Sequence, residues 1–313
     1  MNLTPSNNIN LFGYNDLFLN FIDLYNKNFL PNKIIFSGNS GIGKCTLAYH
    51  LTNYIFSINE ENKYDNNENI ILKNNYSYNL VTKNSHPNFF LISNDDDKIN
   101  IQISKIREMI HFSNKSSFNG GCKIIIIDNI EYLNISSVNA LLKIIEEPNN
   151  KIYFFLIHNS KETILDTLRS RCIKYNLFLN YNERTEIINK LLKNDFYNNL
   201  NDDFKNNYNS PGDIIKLYNF FINNEINYDI DIENFLKLII NKSLYKKDLY
   251  LKFNLSIFLE LYFKKKINYL NSKDKIYYFY KYFLLKISEC NKYNLDLESI
   301  LIEFKGKILN GNI

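Results

Sequence analysis

The run Gly38-Asn39-Ser40-Gly41-Ile42-Gly43-Lys44-Cys45-Thr46 carries the clearest chemical signal in the chain. Glycines at this spacing let a backbone turn its N–H groups inward around phosphate oxygens, and a lysine at the head of the following helix reaches the outer phosphates. The chemistry implied is the binding of a nucleoside phosphate, with Gly38, Ser40, Gly41, Gly43, Lys44, Cys45 and Thr46 as candidate binding residues. A plain glycine-rich turn between strand and helix is the structural alternative. One position departs from a nucleotide-binding loop. Cys45 stands where Ser or Thr would offer Mg²⁺ a hydroxyl, and a thiol is a poor ligand for a hard cation. Thr46, about 100° further round a helix, does not replace it.

Asp128 follows the apolar run Ile124 to Ile127, where a carboxylate holds the metal of a bound nucleotide through water. A turn or helix cap is the other reading of Asp128. The next residue of an active ATPase would be Glu, polarising the attacking water. Here it is Asn129, whose amide cannot accept that proton. Arg169-Ser170-Arg171-Cys172 supplies guanidinium groups, which either stabilise a transferring phosphoryl group on a neighbouring subunit or make salt bridges within the domain. Asp95-Asp96-Asp97, Lys264-Lys265-Lys266 and the tyrosines Tyr277, Tyr278 and Tyr280 read as solvated loop, wet helix face, and core or subunit interface.

The elements that must position these residues follow from periodicity. Apolar runs at Lys33–Ser37, Asn88–Ser93, Cys122–Ile127 and Tyr153–Ile157 predict strands. They alternate with helical patterns: Lys44–Ile55, Lys105–Ser113 capped by Ser104, and a helix capped by Ser136 or Ser137 and stopped by Pro148. Uniformly apolar strands alternating with helices predict an α/β fold, a parallel sheet covered on both faces. After Cys172 the pattern is helical. A small unit with turn chemistry at Asn209-Ser210-Pro211-Gly212 is followed from about 223 by an all-α region, in which Leu251, Leu255, Phe258 and Tyr262 form a face expected to need a partner surface. Ile276–Ile287 is expected to be a helix buried all round, and the Asn-rich stretch 60–79 a mobile insertion.

Composition excludes several classes. A net charge of +4 with 45% hydrophobic residues is neither a disordered polyelectrolyte nor a strongly basic nucleic-acid binder. Without a secretory signal or spanning segment, the chain is expected to be cytoplasmic. Cys45, Cys122, Cys172 and Cys290 form no CxxC pair and the histidines are dispersed, so no zinc is expected. About one residue in six is Asn while arginine occurs at only Arg107, Arg169, Arg171 and Arg184, which makes the paired arginines informative.

The strings GNSGIGKCTLAYHL, SHPNFFLI, IIIIDNIEYLNISSVNALLKIIEEP, FFLIHNS, LRSRC and NSPGDIIKLYNF occur in an order and spacing that resembles the bacterial clamp-loader family, in particular its DNA polymerase III delta-prime type, over residues from about 10 to 220. The resemblance implies an AAA+ P-loop α/β domain (1–175), a helical lid (176–222) and a helical collar for oligomerisation (223–313). It also implies a hetero-pentameric ring with gamma/tau and delta subunits, which loads a sliding clamp onto primer-template DNA. Arg171 matches the family's arginine finger, acting in trans, and His158-Asn159 its γ-phosphate sensor region. The family's lid arginine has no counterpart after Ser210, and its four-cysteine zinc module is absent. The expectation is therefore a non-motor, stator-like subunit in which ATP and Mg²⁺ bind weakly or not at all and intrinsic ATPase activity is missing. An ATP-hydrolysing gamma/tau-type subunit, or less readily a small P-loop nucleotide kinase, is the alternative.

Overall fold

The computed structural model describes residues 4–93, 101–146, 151–192, 196–205, 210–269, 273–293 and 295–309. Asp95-Asp96-Asp97, Pro148 and Asn209 lie outside the described residues. In chain order the elements are α1 (Asn15–Asn26), β1 (Lys33–Gly38), α2 (Lys44–Ser57), α3 (Tyr76–Thr82), β2 (Phe89–Ile92), α4 (Ile103–Asn114), β3 (Lys123–Ile127), α5 (Ile135–Glu146), β4 (Ile152–Asn159), α6 (Asp166–Arg169) and β5 (Ile173–Asn176). There follow α7 (Tyr181–Leu192), α8 (Phe196–Asn199), α9 (Asp202–Lys205), α10 (Pro211–Asn223), α11 (Ile232–Asn241), α12 (Leu249–Tyr269), α13 (Lys273–Tyr293) and α14 (Leu297–Phe304). The chain forms two compact units, Met1–Ile187 with Ser210–Gly212, and Ile188–Asn209 with Asp213–Ile313.

In the first unit five parallel strands run in the order β2-β3-β4-β1-β5. Side chains alternate across the sheet, as period two requires. Ile35, Ile125, Ile127, Phe154 and Leu156 join Ile106, Met109, Val138 and Leu141 in one buried cluster with α4 and α5. Their neighbours Ile34, Phe36, Ile124, Ile126 and Phe155 are buried too, and Phe36 packs edge-on against Phe21 of α1 at 5.7 Å between ring centroids. Burial on both faces explains why β3 reads as an unbroken apolar run rather than an alternating one.

β5 corrects the expectation that strands end before Cys172. It has four residues, Ile-Lys-Tyr-Asn, with both end residues exposed. As an edge strand pairing only with β1, it lacks the apolar run that betrays a central strand. Helix starts also differ. α4 begins at Ile103, with Ser104 inside its first turn and Gln102 preceding it without a side-chain cap. α5 begins at Ile135, and the Asn134 carboxamide oxygen accepts the Ser137 N–H at 2.8 Å, so Asn134 takes the role expected of the serines.

The Asn-rich stretch is built into the fold rather than structureless. Leu11 N–H donates to Asn69 O and Ile71 N–H to Ile9 O at 3.0 and 2.9 Å. The Glu60 carboxylate accepts the N–H groups of Tyr76 and Ser77 at the head of α3, favourable at the positive end of a helix.

The second unit is helical, with one continuous core running from Ile188 to Leu309. Leu251, Leu255, Phe258 and Tyr262 are buried in that core, so the face expected to wait for a partner is satisfied within the chain. The Ile276–Ile287 pattern is not buried all round either. Ile276, Phe283 and Ile287 are interior while Tyr277, Tyr278 and Leu285 of the same helix are exposed.

Candidate functional site

β1 delivers the chain from the sheet at Gly38, and α2 starts six residues later at Lys44. The loop between them is fixed by backbone conformation. Gly43, the residue before α2, has φ +91° with open space around its α-carbon. Glycine is required there by the left-handed backbone and not by crowding. Gly41 (φ +75°) is pressed from outside as well: its carbonyl accepts the Gly212 N–H at 2.9 Å, and a Cβ on Gly212 would stand 2.8 Å from the Gly41 α-carbon. Ser40 and Gly41 are exposed at the crown of the loop. The Tyr14 hydroxyl donates to Ile42 O at 3.1 Å.

Lys44 is buried and turned onto its own loop, donating to Gly38 O and Asn39 O at 2.8 and 2.6 Å. Burial lowers its pKa, against the opposing pull of Asp128 and Glu131. Asp128, next after β3, is raised by burial, with Lys44 and the Asn129 backbone N–H acting the other way. Asn129 adopts a left-handed conformation (φ 57°) and opens a 3₁₀ turn over Ile130–Tyr132. Glu131, in that turn, lies near enough to Lys44 and Asp128 for both charges to act on its carboxyl. Glu131 Oε2 accepts the Asn159 N–H at 3.2 Å, and burial raises its pKa.

Asn159 ends β4 opposite Gly38 in the strand register. The next residue stitches β4 to the loop, Ser160 N–H donating to Gly38 O at 3.0 Å and its hydroxyl to Asn39 Oδ1 at 3.2 Å. Beneath them the buried His158 Nδ1 meets the Ser37 hydroxyl at 2.9 Å, and its Nε2 donates to Glu162 O at 3.1 Å. Gly38, Lys44, Asp128 and Asn159 thus converge at the carboxyl ends of β1, β3 and β4, joined by Glu131, Tyr14 and Gly212. The i+3 spacing of Asp128 and Glu131 is the sequence signal that would have found Glu131. Tyr14 and Gly212 left none.

The loop backbone suits a phosphate, but the side chains do not suit its metal. Burial pushes the Cys45 thiol well above its usual range, so it stays protonated beside the Asp128 carboxylate. A protonated thiol offers Mg²⁺ nothing. Thr46 is half-buried on α2, and among the described residues no cluster of three His, Cys, Asp or Glu side chains forms a metal site.

Arg171 belongs to a different surface. Its Nε donates to Glu146 Oε1 at 2.6 Å and its Nη1 to Thr167 O and Ser170 Oγ at 3.0 and 3.3 Å. None of these partners belongs to the phosphate loop.

A glycine-rich loop between β1 and α2, an acidic residue after β3, and a polar residue ending the strand between them define an AAA+ P-loop domain, and the strand order has the P-loop strand flanked by β4 and β5. The family model described as DNA polymerase III, delta subunit, matches residues 14–179. The chain therefore belongs to this delta-prime-like clamp-loader family of DNA polymerase III. It is 31% identical over 153 residues to DNA polymerase III subunit delta' of Buchnera aphidicola subsp. Baizongia pistaciae, covering 47% of this chain and 44% of that protein. With subunit delta' of Escherichia coli (strain K12) it shares 32% identity over 93 residues, 30% of this chain and 28% of that one. The matched stretches thus span less than half the length of these relatives. Among solved structures it is similar to a gamma subunit-related protein of Thermotoga maritima, with 14% identity, TM-score 0.49, and 91% and 97% of the two chains covered. Among the described residues no helix is long and apolar enough to cross a membrane.

Proposed function

We propose that this chain is a non-motor subunit of a clamp loader, assembling with gamma/tau-type and delta subunits into a ring that places a sliding clamp on primed DNA. Its contribution to ATP hydrolysis is Arg171, offered in trans to a nucleotide held by a neighbour. The observation that carries the reading is Asn129. It stands directly after Asp128, where the attacking water needs a carboxylate, and an amide cannot take that proton. The protonated Cys45 thiol and the Lys44 ammonium folded onto Gly38 and Asn39 carbonyls support the same conclusion. Nucleotide binding by this chain is accordingly weak or absent, and turnover by the isolated chain is absent. In this reading 1–175 is the AAA+ domain, 176–222 the lid and 223–313 the collar.

Steady-state ATPase of the isolated chain, beside Lys44→Ala, tests the first half. Turnover abolished by Lys44→Ala would make the chain a gamma/tau-type motor. Arg171→Ala in the assembled complex tests the second half: DNA- and clamp-stimulated turnover is expected to fall while assembly persists. If turnover holds and the isolated subunit melts earlier, Arg171 is a brace for its own domain.

A further inference from the structure

We propose that Glu146 is the positioning residue of Arg171, setting the orientation in which the guanidinium meets the terminal phosphate of a nucleoside triphosphate held by another subunit. The inference rests on the in-trans reading above. A guanidinium is a planar fork, and its value in phosphate recognition lies in where its N–H groups point. Here two of its three nitrogens are tethered from two elements. Glu146, the last residue of α5, takes Nε at 2.6 Å, while Thr167 O and Ser170 Oγ take Nη1. Among the described residues Nη2 makes no hydrogen bond. Two tethered nitrogens set the plane of the fork, and among the described residues the third is left to receive a phosphate oxygen.

Exposure distinguishes aiming from bracing. The Arg171 and Glu146 side chains are 39% and 48% exposed, and an ion pair so open to water adds little to stability. What it does add is restriction of a long side chain that would otherwise sample many rotamers at a site where misplacement is costly to catalysis.

The test uses the complex of this chain with its clamp-loader partners, assembled with Glu146→Ala, Glu146→Gln, Arg171→Ala or the Glu146→Ala/Arg171→Ala pair. The expected result for Glu146→Ala is a fall in stimulated kcat of about threefold with KM for ATP unchanged, since an aiming defect acts on the transition state. Glu146→Gln, which keeps an acceptor oxygen for Nε, restores most of the loss, and the melting temperature of the subunit stays at its starting value. In the Arg171→Ala background the Glu146 change adds nothing. If Arg171→Ala lowers kcat but Glu146→Ala does not, or if the Glu146 effect persists without Arg171, the positioning role is overturned and the in-trans reading stands. If Arg171→Ala itself leaves the complex unchanged, the in-trans reading fails and takes this inference with it.

Discussion

The phosphate loop and the Arg171 surface lie in one compact unit and have opposite characters. The loop keeps its backbone: positive φ at Gly41 and Gly43, a helix head at Lys44, and an acid after β3. At two positions its side chains differ from those of an ATP-hydrolysing loop, a thiol at Cys45 in place of a hydroxyl and an amide at Asn129 in place of a carboxylate. At the other surface the side chain is intact, tethered by Glu146, Ser170 and the Thr167 carbonyl, and open to solvent. A fold needs the turn whether or not nucleotide binds, so the loop geometry does not depend on that chemistry. An exposed ion pair adds little to stability, so the tethering of Arg171 on two nitrogens is the feature on which the in-trans proposal turns.

The largest expected effect concerns the scaffold under the loop. His50, in α2 below Lys44, is fully buried. Its Nε2 donates to Asn8 O at 3.0 Å and its Nδ1 accepts from the Tyr64 hydroxyl at 2.8 Å, which fixes the neutral ring. Burial lowers its pKa to about 4. A depressed histidine makes the unfolded chain the better proton acceptor between its ordinary value of about 6.5 and 4, so stability falls as pH falls through that window. The loss approaches about 3 kcal/mol at the bottom of it. Urea midpoints at pH 7 and pH 4.5 should separate clearly for the natural chain and by less for His50→Gln, which keeps the share of His86, also lowered by burial to about 4, and of His158, lowered by burial. Equal separations would show that the loop does not rest on a neutral His50.

The next contrast sets the regions against each other in one assay. In the assembled complex, Arg171→Ala should lower stimulated turnover by about threefold to tenfold where clamp loading needs every site to fire, because the site that loses its trans arginine then limits the whole cycle. Lys44→Ala should leave it unchanged. Reversal of that order would make the loop the working region and the arginine the relic.

Below that lies α5, the rod that starts just after the turn holding Glu131 and ends at Glu146. Asn134→Ala removes the acceptor for Ser137 N–H and should lower stability by about 1 kcal/mol. A fall in stimulated kcat would accompany it if fraying at Ile135 reaches Glu146, whereas lost stability with intact kcat confines the damage to the first turn.

Sequence legibility follows the same division. Central strands were readable because burial on both faces leaves unbroken apolar runs such as Ile124 to Ile127. β5 was not, because an edge strand of four residues is half solvent. The α5 cap was misplaced by one element of chemistry: Asn134, Ser136 and Ser137 can all cap, and only tertiary structure chooses among them. At the site, Gly38, Lys44 and Asp128 announce themselves by spacing along the chain. Glu131 is brought in by a short 3₁₀ turn, and Gly212 by a contact across more than 150 residues of sequence that no local pattern encodes. The face of Leu251, Leu255, Phe258 and Tyr262 was legible as apolar, but periodicity cannot say whether a helix face is covered by its own chain or by another. Here its own chain covers it.

The smallest expected effect is the most specific. Cys45→Thr returns a hydroxyl to the position where a bound nucleotide's Mg²⁺ would look for one, and replaces a thiol that burial holds protonated. The gain should appear only with the metal: titration with a fluorescent ATP analogue should tighten by about threefold in Mg²⁺, roughly 0.7 kcal/mol, and not at all in EDTA. Turnover should still be absent, because Asn129 is untouched. Adding Asn129→Glu to Cys45→Thr then separates two accounts of the silent loop. If the double variant hydrolyses ATP, the two side chains alone had silenced it and the backbone was ready throughout. If it binds but does not hydrolyse, the Lys44 ammonium held by Gly38 and Asn39 and the Gly41 carbonyl held by Gly212 keep the loop closed, and side-chain repair is insufficient. Tightening that is equal in Mg²⁺ and EDTA would place the effect of Cys45 in packing and remove the metal from the comparison.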